Sequence, residues 1–144
     1  MHSLPIRSLS VPARAHDNAG ALRRASALMH RLMNGVVIVA AAIQFYTIGL
    51  VMFGVTGLGA HRVFGSLTLL AGLLSLLAAL GAGRVNARPL SAFGLFGALL
   101  LQPALAFGLR GVAPAFAALH SVNGLVILGL ALGIERRMRH RWHA

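Results

Sequence analysis

Two of the seven histidines in this 144-residue chain sit in a repeated setting. Gln44 precedes the segment Gly59-Ala60-His61-Arg62-Val63-Phe64-Gly65, and Gln102 precedes Ala117-Ala118-Leu119-His120-Ser121-Val122-Asn123-Gly124. The second set follows the first by 58 or 59 residues at every matched position, so each half reads Gln, a turn, then His-x-x-x-Gly. Paired neutral imidazoles are the axial ligands of a b-type haem, and helical-bundle cores are where such cofactors are held. A glycine four residues after each histidine lies on the same helix face one turn further on. Gly65 and Gly124 would thus open a slot for a flat macrocycle, walled by Phe64, Phe107 and Phe116. Arg62 and Arg110 are the cations available to its propionates.

A cofactor-free reading uses the same residues. Membrane helices associate through small residues and interhelical hydrogen bonds. His61 can bond across to His120, to Tyr46 or to a loop carbonyl, while Gln44 and Gln102 satisfy each other near the bilayer midplane. Other chemistry has less to stand on. The chain has no Cys, which removes thiolate metal sites, disulfides and covalently attached haem. Zinc and copper sites mostly take three or four protein ligands, and Asp17 and Glu135 both lie outside the apolar stretches. No acid is placed to orient a histidine for nucleophilic catalysis, and no glycine-rich phosphate loop is present. His30 with Arg31 is expected to cap the cytoplasmic end of the first span. A second haem between His30 and His140 can be drawn, but a histidine in a polar tail such as His140 or His143 is ordinarily solvated. His2 and His16 belong to a polar arm.

The elements that must position these residues follow from composition. The chain is 58% hydrophobic and 10% charged, with mean hydropathy +0.80. A soluble domain carries about a quarter charged residues, so a soluble enzyme is excluded and an integral membrane protein is indicated. Four stretches, about 32–53, 58–83, 89–109 and 115–134, are long enough to cross a hydrocarbon core of about 30 Å as helices. Short connections make neighbours antiparallel. The expected fold is all-α: an up-down four-helix bundle of two parallel hairpin repeats, related by an axis along the membrane normal. That geometry puts His61 and His120 at one depth on diagonal helices. The spans lie within a domain of residues 28–136, flanked by a polar Arg-rich arm (1–27), helical from about Ala19, and a basic tail (137–144).

All thirteen basic residues are arginines, and their placement argues for topology rather than nucleic-acid binding. Eleven lie on one side, in the arm, the 84–88 loop, the tail and, as Arg31 and Arg136, at the adjoining span ends; Arg62 and Arg110 alone lie on the other side. The positive-inside rule then places both termini in the cytoplasm. Residues 1–27 lack the apolar stretch of a secretory signal peptide. Trp142 among arginines suits an interfacial anchor.

The duplicated Gln…His-x-x-x-Gly hairpin over residues 30–134 resembles a family of small bacterial four-helix membrane proteins of uncharacterised activity. The matching positions are Gln44, His61, Gly65, Gln102, His120 and Gly124. The resemblance implies the fold and no established activity; the expected location is the bacterial cytoplasmic membrane. A looser similarity links the chain to bis-histidine b-type membrane cytochromes and to the four-helix halves of haem A synthase, which also carry ligands on second and fourth helices. The expected function is electron carriage by one haem b on His61 and His120 near the non-cytoplasmic face, rather than catalysis. The alternative is a cofactor-free accessory subunit of a larger respiratory or photosynthetic complex, with lipids and sister subunits as partners.

Overall fold

A computed structural model describes the backbone of residues 13–86, 89–108, 111, 113 and 118–142, and side chains for 17–83, 89–108, 111, 113 and 118–139. The described residues form four helices and no strand. Helix α1 spans Ala13–Met52, α2 Gly59–Asn86, α3 Pro89–Pro103 with a π-helical continuation Ala104–Gly108, and α4 Leu119–Trp142. Three segments, Asp17–Met52, Gly59–Gly83 and Pro89–Gly108, are long and apolar enough to cross a membrane.

The helix ends follow from local chemistry. After Met52 the chain closes a Schellman turn, with Val55 N–H donating to Leu50 O (2.9 Å) and Gly54 N–H to Val51 O (3.1 Å). The turn needs a left-handed residue, and Gly54 supplies it at φ 69°. The regular part of α2 is interrupted at Gly83, whose φ 74° and ψ 171° are non-helical and favour glycine. Pro103 brings no N–H to the ladder of α3, and the helix widens to π geometry immediately after it.

Each helix packs on its two neighbours in a closed ring, α1–α2–α3–α4–α1, and the diagonal pairs do not pack together. Contacts give the directions. His30, early in α1, meets Ser75, late in α2, and Thr47, late in α1, meets His61, early in α2. Asn34 and Ala131 likewise join early α1 to late α4. Adjacent helices are therefore antiparallel, and those contacts come from residues at helical spacing on one face of each element. On α1 they are His30, Asn34, Val37, Ala41, Gln44 and Thr47; on α4 they are His120, Asn123, Ile127, Ala131 and Ile134.

The core is a layer of Val37, Ala71, Leu95, Leu99, Ile127, Ala131 and Ile134, with a second cluster of Leu76, Ala79, Ala82 and Ala92 between α2 and α3. Outward faces are studded with exposed leucines, valines and phenylalanines, including Val39, Leu70, Leu77 and Leu125. Such a surface belongs against lipid tails rather than water.

Two expectations need correction. The arm is not separate from the bundle along its whole length: α1 runs without a break from Ala13, Ala27 packs on the α2–α3 cluster, and Ser26 abuts Gly81. His30 caps nothing, because no helix ends there. It is 2% exposed, with Nδ1 2.9 Å from Ser75 Oγ and 3.0 Å from Ser75 O. Two fully buried neighbours on α1 and α2, both polar, satisfy each other instead. At this end Arg31 Nη2 (3.4 Å) and Arg139 Nε (3.0 Å) both reach Glu135 Oε1, tying α1 to α4.

Candidate functional site

At the opposite end the bundle opens into a cavity of about 910 Å³ lined by all four helices. His61 and His120 stand on diagonal α2 and α4, and their ring centroids are 6.1 Å apart with planes at 67°. The sequence placed these two rings at one depth on non-adjacent helices, and the structure brings them together. Gly65, Gly124, Gln44, Gln102 and Arg62 all line the same cavity.

Hydrogen bonds hold both rings from behind. His61 Nδ1 lies 3.2 Å from Thr47 Oγ1, and that hydroxyl donates to Gln44 O at 3.1 Å. His120 Nδ1 lies 3.1 Å from the carbonyl oxygen of Gln102, at the foot of the π segment. Neither ring bonds to the other, and Nε2 of each has no hydrogen-bond partner among the described residues.

The glutamines do not pair with each other. Asn123 donates through Nδ2 to Gln102 Oε1 and to Ala98 O, each at 2.8 Å. Gln102 is thereby tied within its own hairpin. Gln44 Oε1 is buried without a partner, and its Nε2 occupies the space beside Gly65, 2.8 Å from where a Cβ would stand. The gap left by Gly65 thus admits the Gln44 amide. Gly124 leaves room for Phe45, whose Cζ would be 3.4 Å from an added Cβ. Phe107 and Phe45 line the cavity; Phe64 does not, because it sits elsewhere on α2, its carbonyl accepting from Thr68 at 2.6 Å. Arg110 and Phe116 lie outside the described residues, as do the side chains of His140 and Trp142.

Thr47, Asn123, Asn34 and Ser75 were not singled out from sequence. Each lies three or four residues from a repeat residue or histidine on the same face, or opposite one, which is the signal that would have found them.

The cavity fits the haem ligand set. Metal–imidazole bonds of about 2.0–2.1 Å, with ~1.1 Å from nitrogen to ring centre, put the centroids of two axial rings about 6.3 Å apart. The observed 6.1 Å is within that reach. A volume near 900 Å³ falls in the range of cofactor sites, about 300–1,000 Å³. No cluster of three or more His, Cys, Asp or Glu is present among the described residues, so the histidine pair has no further protein ligand of those types. The chain matches no protein-family model, no curated protein and no solved structure.

Proposed function

We propose that this chain is a bacterial cytoplasmic-membrane b-haem protein that carries electrons, with His61 and His120 as axial ligands. The observation that carries the reading is the 6.1 Å separation of two imidazoles whose Nδ1 atoms are engaged and whose Nε2 atoms are not, beside a large cavity. Bound haem would supply a reversible one-electron couple. The chain's own residues do the rest. Diagonal helices hold the two rings at a separation close to that of two axial ligands. Phe45, Ile48, Leu99, Phe107 and Ile127 contribute apolar walls. Arg62 at the rim offers a guanidinium to carboxylates, and Arg110 is the second cation expected for them from the sequence.

In this reading all four helices cross the membrane, the two hairpins are parallel repeats, and both termini face the cytoplasm. The histidine pair then lies near the opposite face. The chain is a member of the four-helix family with the duplicated Gln…His-x-x-x-Gly hairpin. One haem near one face exchanges electrons with a partner on that side and does not conduct them across the bilayer.

A reduced-minus-oxidised absorption spectrum of purified protein from haem-supplied cells tests the proposal, beside a His61→Ala/His120→Ala double variant. A b-type difference band is expected in the wild type and is absent from the variant. A flat wild-type spectrum at high purity overturns the reading and leaves the accessory-subunit alternative, in which the rings are packing groups.

A further inference from the structure

The two histidines have the same place in the repeat, but the groups behind them differ. Fifty-eight residues beyond Thr47 the second half carries Leu105, which cannot accept a hydrogen bond through its side chain. In its place His120 meets a main-chain carbonyl, that of Gln102, just before Pro103 and the π segment Ala104–Gly108. A widened turn shifts the ladder from i→i−4 to i→i−5 at this junction. The first half has no proline at the equivalent position, where Phe45 stands, and α1 there remains a regular helix.

These partners decide the tautomers. A carbonyl oxygen only accepts, so His120 must carry its proton on Nδ1. Thr47 has one hydroxyl proton, and it is committed to Gln44 O. Its oxygen can then only accept from His61, which must also be the Nδ1–H form. Both rings are left with an unprotonated Nε2, the atom a metal needs.

We infer that Thr47 and the Gln102 carbonyl are the positioning groups that present Nε2 of His61 and His120 to the cavity, and that they make the two rings unequal ligands. The inference rests on the haem reading for its purpose, though not for its geometry. A backbone carbonyl is a stronger acceptor than a hydroxyl oxygen, so His120 is the more electron-rich of the two. His61 is the ring that a single side-chain change can unsettle: the Gln44 carbonyl also acts on it, as that of Gln102 does on His120, but the direct partner of its Nδ1 is the Thr47 hydroxyl. Removal of a group that orients a metal-bound histidine lowers metal affinity about 10–100-fold.

The test uses full-length protein with ¹⁵N-labelled histidine, purified without haem, compared with Thr47→Val and Thr47→Ser. Ring ¹⁵N shifts are expected to report Nδ1–H at both His61 and His120 in the wild type. Thr47→Val should return His61 to a mixture of tautomers with His120 unmoved, and Thr47→Ser should restore it. An Nε2–H form at either wild-type ring, or a His61 signal indifferent to Thr47→Val, overturns the inference. Haem titration of the same three proteins keeps the two questions apart: absence of any binding refutes the haem reading while the tautomer result stands. Binding that is equal in the wild type and Thr47→Val refutes the positioning role; a 10–100-fold loss, rescued by Ser, supports it.

Discussion

At the scale of single residues, the glycines separate into those that make room and those that do not need to. A Cβ on Gly72 would run into Leu99 Cδ1, and Leu99 is buried in the central layer. Overpacking of this kind costs about 1–3 kcal/mol, only partly offset by the ~1 kcal/mol by which alanine favours a helix. Gly124→Ala meets Phe45 and Gln102 at 3.4 and 3.6 Å, ordinary contact distances. Thermal unfolding in detergent should therefore show Gly72→Ala melting earlier and Gly124→Ala at or above the wild type. Equal melting of Gly72→Ala and wild type would show that Leu99 repacks freely. The histidine pair was legible in the sequence because its signal is a repeat, and a repeat places two residues in equivalent positions whatever their contacts. Thr47 was not legible for the converse reason: it has no counterpart at Leu105, so comparing the halves hides it. The glutamine pairing failed as an expectation because each amide found a nearer partner or space on its own hairpin, Asn123 for Gln102 and the Gly65 gap for Gln44.

At the scale of elements, the four helices and their turns are written in hydropathy and in Gly54 and Gly83. The extension of α1 back to Ala13 is less visible, since residues such as Arg23 and Arg24 read as a polar arm while still favouring helix. That extension makes His30 a core residue. The His30–Ser75 bond joins α1 to α2 and the Asn34 amide joins α1 to Ala131 O on α4, at 3.0 Å. Hydrogen bonds between membrane helices contribute on average about 0.6 kcal/mol, with a maximum near 1.7. Ser75→Ala should cost about that much in unfolding measurements. In the proposed haem protein, His30→Ala should leave the difference spectrum unchanged, whereas a lost or shifted band would place a haem at this end of the bundle. Asn34 Oδ1 has no partner and is fully buried, so Asn34→Leu, which removes both an unsatisfied acceptor and one hydrogen bond, should change stability less than Ser75→Ala does.

At the scale of the whole molecule, arginine placement predicts direction and the ring of helices gives it one rigid frame. Because Arg31, Glu135 and Arg139 bind α1 to α4 at one end, the start of the bundle and its end share a face. The native chain has no cysteine, so single cysteines report topology without background. A membrane-impermeant thiol reagent added outside intact cells should label Gly57→Cys, in the α1–α2 turn, and leave Ala144→Cys untouched until the membrane is opened. The reverse pattern would invert the orientation and move the histidine cavity to the cytoplasmic side.

The layer between the two polar ends has an electrical meaning. From Gly35 to Ile43 α1 offers no side chain that can take or give a proton, and Val37, Ala41, Ala71, Leu95, Ile127 and Ala131 sit around that stretch. On α2 the buried Thr68 hydroxyl enters this layer, so the insulating gap is thinnest over the six residues from Leu69 to Leu74 ahead of Ser75, roughly 10 Å at about 1.5 Å per residue. Among the described residues protons therefore have no continuous side-chain relay from the His30 end to the His61 end, and the bundle should be as tight to them as the lipid around it. A charge gained at the cavity stays on its own side of that gap. It crosses only a small part of the transmembrane field, of which the whole is worth about 2.3 kcal/mol per charge at 100 mV. The proposed haem protein would on this account be filled and emptied from one face without discharging the membrane that holds it.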